Sequence, residues 1–391
     1  MKRLLLLLLL GVIAHPGIAQ DTADRPTGFT FAGIPALNYN SDEGIGYGAR
    51  ASLYNHAEGG YSPYFYTVEA NVFLTTGGRK QVSLFFDSPH LLGPNERLTS
   101  EIKYEKFDPA PFYGLGNDTP YDENLIDEES PAFVNDEYYG FERARFTVWT
   151  TYQRRFGPFK VLGGLGLVHS EIALSDGPTL LQTDEAVTGK AGGFTNTVKV
   201  GLLYDTRDFE PAPSHGDWTD VLFEVSDALW GSDYDYARLT LTNRHYVPLA
   251  RNVVFAQRIV FEKSWGDLPF YEMTFFGSSF KIDEGLGGAK SVRGLLRNRL
   301  QGPMKLFGNL ELRWRLWDFQ ILEQDLYLAL SAFLDYGRVW RKDEAFSLRG
   351  LHTGQGGGLH LGWNETFIIT ADMATSTEVD LAFYLGFGYL Y

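Results

Sequence analysis

The chain has 391 residues, a formal net charge of -15 and no cysteine. Absence of cysteine excludes a disulfide framework and a lipidated N-terminal cysteine, and the acidic balance argues against nucleic acid as a partner. With 22 Tyr, 29 Phe, 8 Trp and 43 Gly, the composition fits a β-protein, either soluble or a membrane barrel.

The sequence opens MKRLLLLLLLGVIAHPGIAQ. Lys2 and Arg3 precede an apolar run, Leu4 to Ala14, too short to span a bilayer, and Gly17-Ile18-Ala19 offers small residues for cleavage before Gln20. Residues 1–19 are therefore expected to be a signal peptide and 20–391 a single exported domain. Beyond the leader no apolar run reaches about 18 residues, so no transmembrane helix is expected.

The first candidate strand, 28–40, contains Pro35, which cannot donate to a ladder and so belongs at an edge or bulge. Further on, ERLTSEIKYEKF sets Leu98, Ser100, Ile102 and Tyr104 against Thr99, Glu101, Lys103 and Glu105. Successive strand side chains point to opposite faces, so one face is largely apolar and the other charged. The segment 112–140 then carries eight acids and neither Lys nor Arg. It suits a solvated outer loop, or one that reaches lipopolysaccharide through bridging cations. Asp205-Thr206-Arg207-Asp208 follows at a strand end, where alternating acid and base can tie neighbouring strands.

GLGGAKSVRGLLRNRL (285–300) is a glycine-rich connection with Arg293, Arg297 and Arg299 and no acid. The two strands after it repeat the dyad. Leu310, Leu312, Trp314 and Leu316 oppose Asn309, Glu311, Arg313 and Arg315. Leu326, Leu328, Leu330, Leu334 and Tyr336 oppose Ala329, Ser331, Asp335 and Gly337. If the loop folds inward, Arg293 can meet Glu311 and Asp335 on adjacent inner faces, and its planar fork suits two carboxylates better than Lys would. At the C-terminus, Val379, Leu381, Phe383, Leu385, Phe387, Tyr389 and Tyr391 share one apolar face, with Gly386 and Gly388 on the other.

Polar-in, apolar-out strands repeated this often are the pattern of a membrane barrel. Sixteen spans are predicted: 28–40, 44–56, 61–77, 80–92, 96–108, 139–156, 159–175, 192–206, 216–229, 235–248, 252–265, 301–317, 325–340, 352–363, 366–376 and 378–391. An even count puts both ends in the periplasm. The short connections then fall on that side, and the long ones, 109–138, 176–191 and 266–300, fall outside. The fold class expected is all-β: a 16-stranded antiparallel transmembrane barrel with an internal plug loop. Enzymatic chemistry is not expected. His169-Ser170-Glu171 alternates faces and cannot form a relay, no His lies in a metal-binding spacing, and neither cofactor nor metal is implied.

Val292-Arg293-Gly294, Phe333-x-Asp335-x-Gly337, Glu311, Asp205-Thr206-Arg207-Asp208 and the aromatic C-terminus occur in one order along the chain. In this the chain resembles the bacterial surface antigen family of BamA- and TamA-like outer-membrane barrels, with Leu295 where that family carries an aromatic residue. The resemblance implies a barrel whose inner loop is locked by Arg293 with Asp335 and Glu311. It also implies a seam between first and last strands that opens laterally, here marked by Pro35, Gly386 and Gly388. Phe387, Tyr389 and Tyr391 correspond to a C-terminal signal read by the barrel-assembly machinery. The chain leaves no room for the family's periplasmic POTRA domains. The implied role is translocation or insertion of a protein or lipid at the outer membrane, with lipid, lipopolysaccharide and a periplasmic protein as partners. A passive diffusion channel, or a structural anchor for a periplasmic partner, stays open as the alternative.

Overall fold

The computed structural model describes residues 26–61, 63–279, 283–321, 324–363 and 367–391. The expected signal peptide, residues 1–19, lies outside them. The first half of the wall comprises β1 (Phe29–Asn40), β2 (Gly44–Asn55), β3 (Tyr66–Thr75), β4 (Arg79–Ser88), β5 (Glu96–Pro111), β6 (Gly140–Phe156), β7 (Phe159–Ala173) and β8 (Thr197–Asp205). The second half comprises β9 (Gly216–Ser226), β10 (Tyr236–Ala250), β11 (Val253–Gly266), β12 (Met304–Ile321), β13 (Gln324–Trp340), β14 (His352–Trp363), β15 (Phe367–Ser376) and β16 (Ala382–Phe387). Each strand pairs antiparallel with the next, and β16 returns to β1. A two-residue strand, Gly193–Phe194, adds to the edge of β7. Among the described residues, no helix is long and apolar enough to cross a membrane.

The dyad of the sequence explains the wall. Val82, Leu84, Ile102, Leu165, Leu167, Val200 and Leu202 are exposed on the outside, while Glu105, Arg143, Arg145, Arg258 and Glu262 are buried within. This inverts the rule for a water-soluble protein and matches a barrel whose solvent outside is lipid. Closure matters because hydrocarbon offers no partner to an unpaired N–H or C=O.

One feature follows the expected pattern and another departs from it. The connection after β11, described over residues 267–279 and 283–303, is the internal loop expected from the sequence. It enters the lumen and carries its own apolar core, in which Phe276, Leu286, Val292, Leu295 and Leu300 pack against Val260, Phe307 and Val339 of the wall. Leu295 fills that core, so the position does not require an aromatic ring. The last strand is shorter than its alternation predicts. It ends at Phe387 instead of 391, and Gly388 turns the chain at φ +77°, a left-handed conformation that glycine adopts without strain. Tyr389 and Tyr391 consequently leave the outer face, and Tyr391 is buried inside.

The seam is correspondingly brief. β1 and β16 register only at Tyr39↔Leu385 and Asn40↔Tyr384, whereas β1 and β2 register continuously from Phe29↔Asn55 to Asn40↔Gly44. Ser41 adds a backbone hydrogen bond to the Phe383 oxygen at 3.1 Å.

The outward face provides a direct test of the lipid environment. Leu165, midway along β7 and 61% exposed, would tolerate arginine in a soluble protein. In a bilayer Leu165→Arg is expected to cost about 2–4 kcal/mol, read as a lower urea midpoint for the barrel refolded in phospholipid vesicles.

Candidate functional site

The inner loop is held at its tip by one buried cation. Arg293 is 2% exposed. Its Nε donates to Asp335 Oδ2 at 2.8 Å and its Nη2 to Asp335 Oδ1 at 3.1 Å, a two-pronged grip completed by the Arg293 backbone N–H on Oδ2 at 3.1 Å. Nη2 also reaches Glu311 at 3.3 Å, and Nη1 reaches Asp372 at 3.0 Å. The guanidinium lies over the Phe333 ring, 3.3 Å from its centroid, an arrangement favourable to a desolvated cation. The structure brings Val292, Arg293, Gly294, Glu311, Asp335 and Gly337 together at one point of the lumen.

Tight approach explains the small residues. A Cβ on Gly337 would stand 2.2 Å from Leu286 and 3.0 Å from Val292, so only a bare backbone at this point of β13 lets the loop lie flat against the wall. Next to the arginine, the Gly294 N–H donates to the Tyr384 hydroxyl at 3.0 Å, and Ser376 Oγ donates to the Gly294 oxygen at 2.8 Å. One turn of loop thus touches β12, β13, β15 and β16.

Sequence reasoning missed several members. Asp372 is a third carboxylate for Arg293, and its other oxygen lies 2.9 Å from His360 Nε2. The available sign was a single acid on the inner face of β15, a strand with no other charged residue. Arg297 and Arg299, left unassigned, are both paired. Arg297 bonds Glu43 and Glu284, and its backbone N–H donates to Asp42 at 3.1 Å. Arg299 reaches Glu378 at 2.8 Å and the Thr119 oxygen at 2.6 Å. The three basic residues therefore pin the loop to different parts of the barrel. Lys305 donates to the Met273 oxygen at 2.9 Å and holds a further segment of the same loop.

The other predicted residues lie elsewhere. Asp205 accepts from Arg207 Nε at 3.0 Å and from Lys160 of β7 at 3.2 Å, while the Arg207 guanidinium stacks 4.0 Å from the Trp218 ring of β9. Asp208 instead closes its own turn by accepting from the Ser214 N–H at 2.9 Å. Pro35 sits in β1 beyond the last registered seam pair, Gly386 in β16, and Gly388 just past it. Phe387 faces outward, and Tyr389 and Tyr391 turn in. The acids of 112–140 are mostly exposed, and among the described residues no cluster of three could hold a metal ion.

Removing Arg293 would leave the buried Asp335 without its cation, while Glu311 keeps Arg313 at 2.8 Å and Asp372 keeps His360 at 2.9 Å. Arg293→Ala is expected to cost about 3–5 kcal/mol, seen as loss of the heat-modifiable band shift and a lower denaturation midpoint. Asp335→Ala should act similarly, and the double variant should cost less than the sum by about 1–3 kcal/mol. Strict additivity would show that the two are not partners. Arg293→Lys should rescue only in part, because a point charge cannot grip both oxygens.

Asp42 lies in the turn between β1 and β2. Burial pushes its carboxyl up to about 6, partly offset by the Arg297 N–H bond. The folded state then holds this proton more tightly than the unfolded chain, so the stabilising contribution is present at low pH. It is lost as pH rises from the model-peptide value of 3.8 through about 6. Asp42→Asn keeps an acceptor for Arg297 without the charge. It should raise thermal stability at pH 8 and leave it little changed at pH 4.

Comparison with known proteins agrees with this fold. A family model described as the Omp85 superfamily domain matches residues 66–390. At the level of sequence alone no curated protein matches. The fold is similar to BamA from Haemophilus ducreyi lacking POTRA domains 1–3, at 13% identity, covering 93% of this chain and 70% of that one, with a TM-score of 0.60. It is similar also to CdiB from Escherichia coli, at 12% identity over 94% of this chain and 63% of that one, TM-score 0.60. CdiB from Acinetobacter baumannii gives 13% identity, 92% and 59% coverage, and a TM-score of 0.53. The chain thus spans under two thirds of the length of the CdiB proteins.

Proposed function

Since the chain belongs to the Omp85 superfamily, we propose that it is a non-enzymatic outer-membrane device that assists translocation or insertion of a protein or lipid. It would be exported by the signal peptide at 1–19. The observation that carries the reading is the contrast between a locked lumen and a barely joined seam. Three arginines and Lys305 pin the plug to the barrel, while two registered pairs join β1 to β16. A cargo taking the easiest route passes sideways into lipid and not through the plug.

Outer-membrane lipid and lipopolysaccharide are the surroundings that such a seam opens into. Phe387, Tyr389 and Tyr391 would serve the barrel-assembly machinery during biogenesis, before the last residues turn inward. The clasp of Asp205, Arg207 and Trp218 would fix the periplasmic rim, where a periplasmic partner protein could dock. A passive diffusion channel is less favoured, because the inner loop is tied to β4, β6 and β13 and so lies across the lumen.

The chain has no cysteine of its own, so an engineered pair reports cleanly. Tyr39→Cys with Leu385→Cys, opposite one another in the seam, should lock it when oxidised. A photo-cross-linker at Leu37, on the outward face of β1, should capture protein or lipid cargo in native membranes when the lock is reduced and not when it is closed. A large, steady conductance in planar bilayers, indifferent to the lock, would instead establish the diffusion channel.

A further inference from the structure

The outer ends of β11 and β13 carry charge and a buried ring on the face that elsewhere looks at lipid. Leu326, Leu328, Leu330, Ala332 and Leu334 make the outward face of β13 apolar. Their span matches the roughly 9–11 residues with which a tilted strand crosses hydrocarbon. Asp335, Gly337 and Val339 face the lumen, so by alternation Tyr336, Arg338 and Trp340 continue the outer face above that band. Register extends these rows to the neighbouring strands. Arg338 stands opposite Leu306, and Leu306 opposite Phe261; Trp340 stands opposite Met304, and Met304 opposite Lys263. Both rows lie at the depth of the outer leaflet's headgroups.

Trp340 is nevertheless fully buried. The connection between β13 and β14, residues 341–351, folds over the outside of the wall and covers it. Phe346 stacks on Trp340 with centroids 5.1 Å apart and planes at 20°, and it meets the Phe261 ring edge-on at 6.5 Å. The base of this flap is fixed on its inner side. Arg341 Nε donates to the Leu115 oxygen at 3.1 Å, and Asn117 Nδ2 donates to the Gly350 oxygen at 2.8 Å. The tip is bare: Phe346 is 59% exposed and Leu348 56%. Through Phe261 this apolar tip is continuous with the lipid-facing wall.

The flap is also basic, on a chain whose net charge is -15. Glu344 is taken by Arg338, which leaves Asp343 as the flap's remaining acid beside Lys342 and Arg349. Lys263, exposed on the adjoining wall and 5.5 Å from the Trp265 ring, adds a further cation. Exposed apolar side chains framed by cations and aromatic rings suit a membrane interface, where chains of lipid lie below and phosphates above.

We propose that residues 341–351, with Lys263 and Trp265, form an interfacial anchor for an anionic lipid of the outer leaflet. Phe346 and Leu348 enter between acyl chains, while Lys263, Lys342 and Arg349 meet the phosphates of lipopolysaccharide. Because the base of the flap is tied down, little conformational freedom is lost on contact. The anchor needs the barrel's place in the outer membrane and is independent of the function proposed for its seam.

With no native cysteine, Leu348→Cys carries a single environment-sensitive fluorophore. The full chain is refolded into phosphatidylcholine vesicles with and without lipid A. Lipids bearing a nitroxide near the headgroup should remove most of the emission at 348, and aqueous iodide little of it. The same label at Glu128→Cys, an exposed position of the acidic outer segment, should show the reverse. Lipid A should strengthen the nitroxide quenching at 348 and shift its emission to the blue. Lys263→Gln with Arg349→Gln should abolish that increment.

Iodide quenching at 348 as strong as at 128 would overturn the proposal, because the flap then faces water. Protection from both quenchers that is lost as the protein is diluted into lipid would overturn it in favour of a second copy of this chain. Equal results with and without lipid A would overturn the assignment to an anionic lipid. Should Leu348→Cys fail to refold, the label moves to Phe346→Cys, for which the same outcomes decide.

Discussion

The placement of the loop tip depends on the fork of Arg293 gripping Asp335. A barrel in lipid must turn its polar side chains inward, and a plug placed among them removes the water that would otherwise solvate them. Charge can then be kept only if it is paired at hydrogen-bond distance. Asp335 meets Arg293 through both carboxylate oxygens and the backbone N–H. Glu311 and Asp372 close the remaining directions, and Phe333 covers the open face. The result is a loop placed by a charge that could not be buried anywhere else.

The loop as a whole also meets β4 and β6, through Glu284 and Glu272, but the contacts of its tip are unevenly distributed. Its tip touches β12, β13, β15 and β16, so the last quarter of the barrel is tied to the plug. β1 meets the loop only near its outer end, through the turn that carries Asp42 and Glu43. One side of the seam is anchored and the other is held chiefly by β2. That asymmetry follows from where the acids that meet Arg293 lie: Glu311, Asp335 and Asp372 are all in the last five strands, and β1 has no acidic residue.

Much of the fold was legible in the sequence because lipid imposes a simple rule on alternate residues. The strands could be counted from the dyad, and Arg293, Glu311 and Asp335 stood out because charged residues on an inner face need partners. Legibility failed where a residue's role depends on distant chain. Asp372 is one acid on a short strand, and nothing local says that it faces the same arginine. Glu43 and Glu378 meet Arg297 and Arg299 only once the barrel has closed. The end of β16 was misread for a different reason. Tyr389 and Tyr391 keep the period of a lipid-facing strand, and periodicity cannot register a competing pocket on the opposite wall.

The clasp of Asp205 with Lys160 and Arg207, capped by Trp218, joins β7, β8 and β9. Counted around a ring of sixteen staves, those strands lie half a circumference from the joint between β1 and β16. A hoop cut at one point flexes about the region opposite the cut, where curvature changes while the ends part. Charge and aromatic stacking at the rim stiffen the wall where such bending would concentrate. The clasp thus gives the barrel a spine, and displacement is left to the far side.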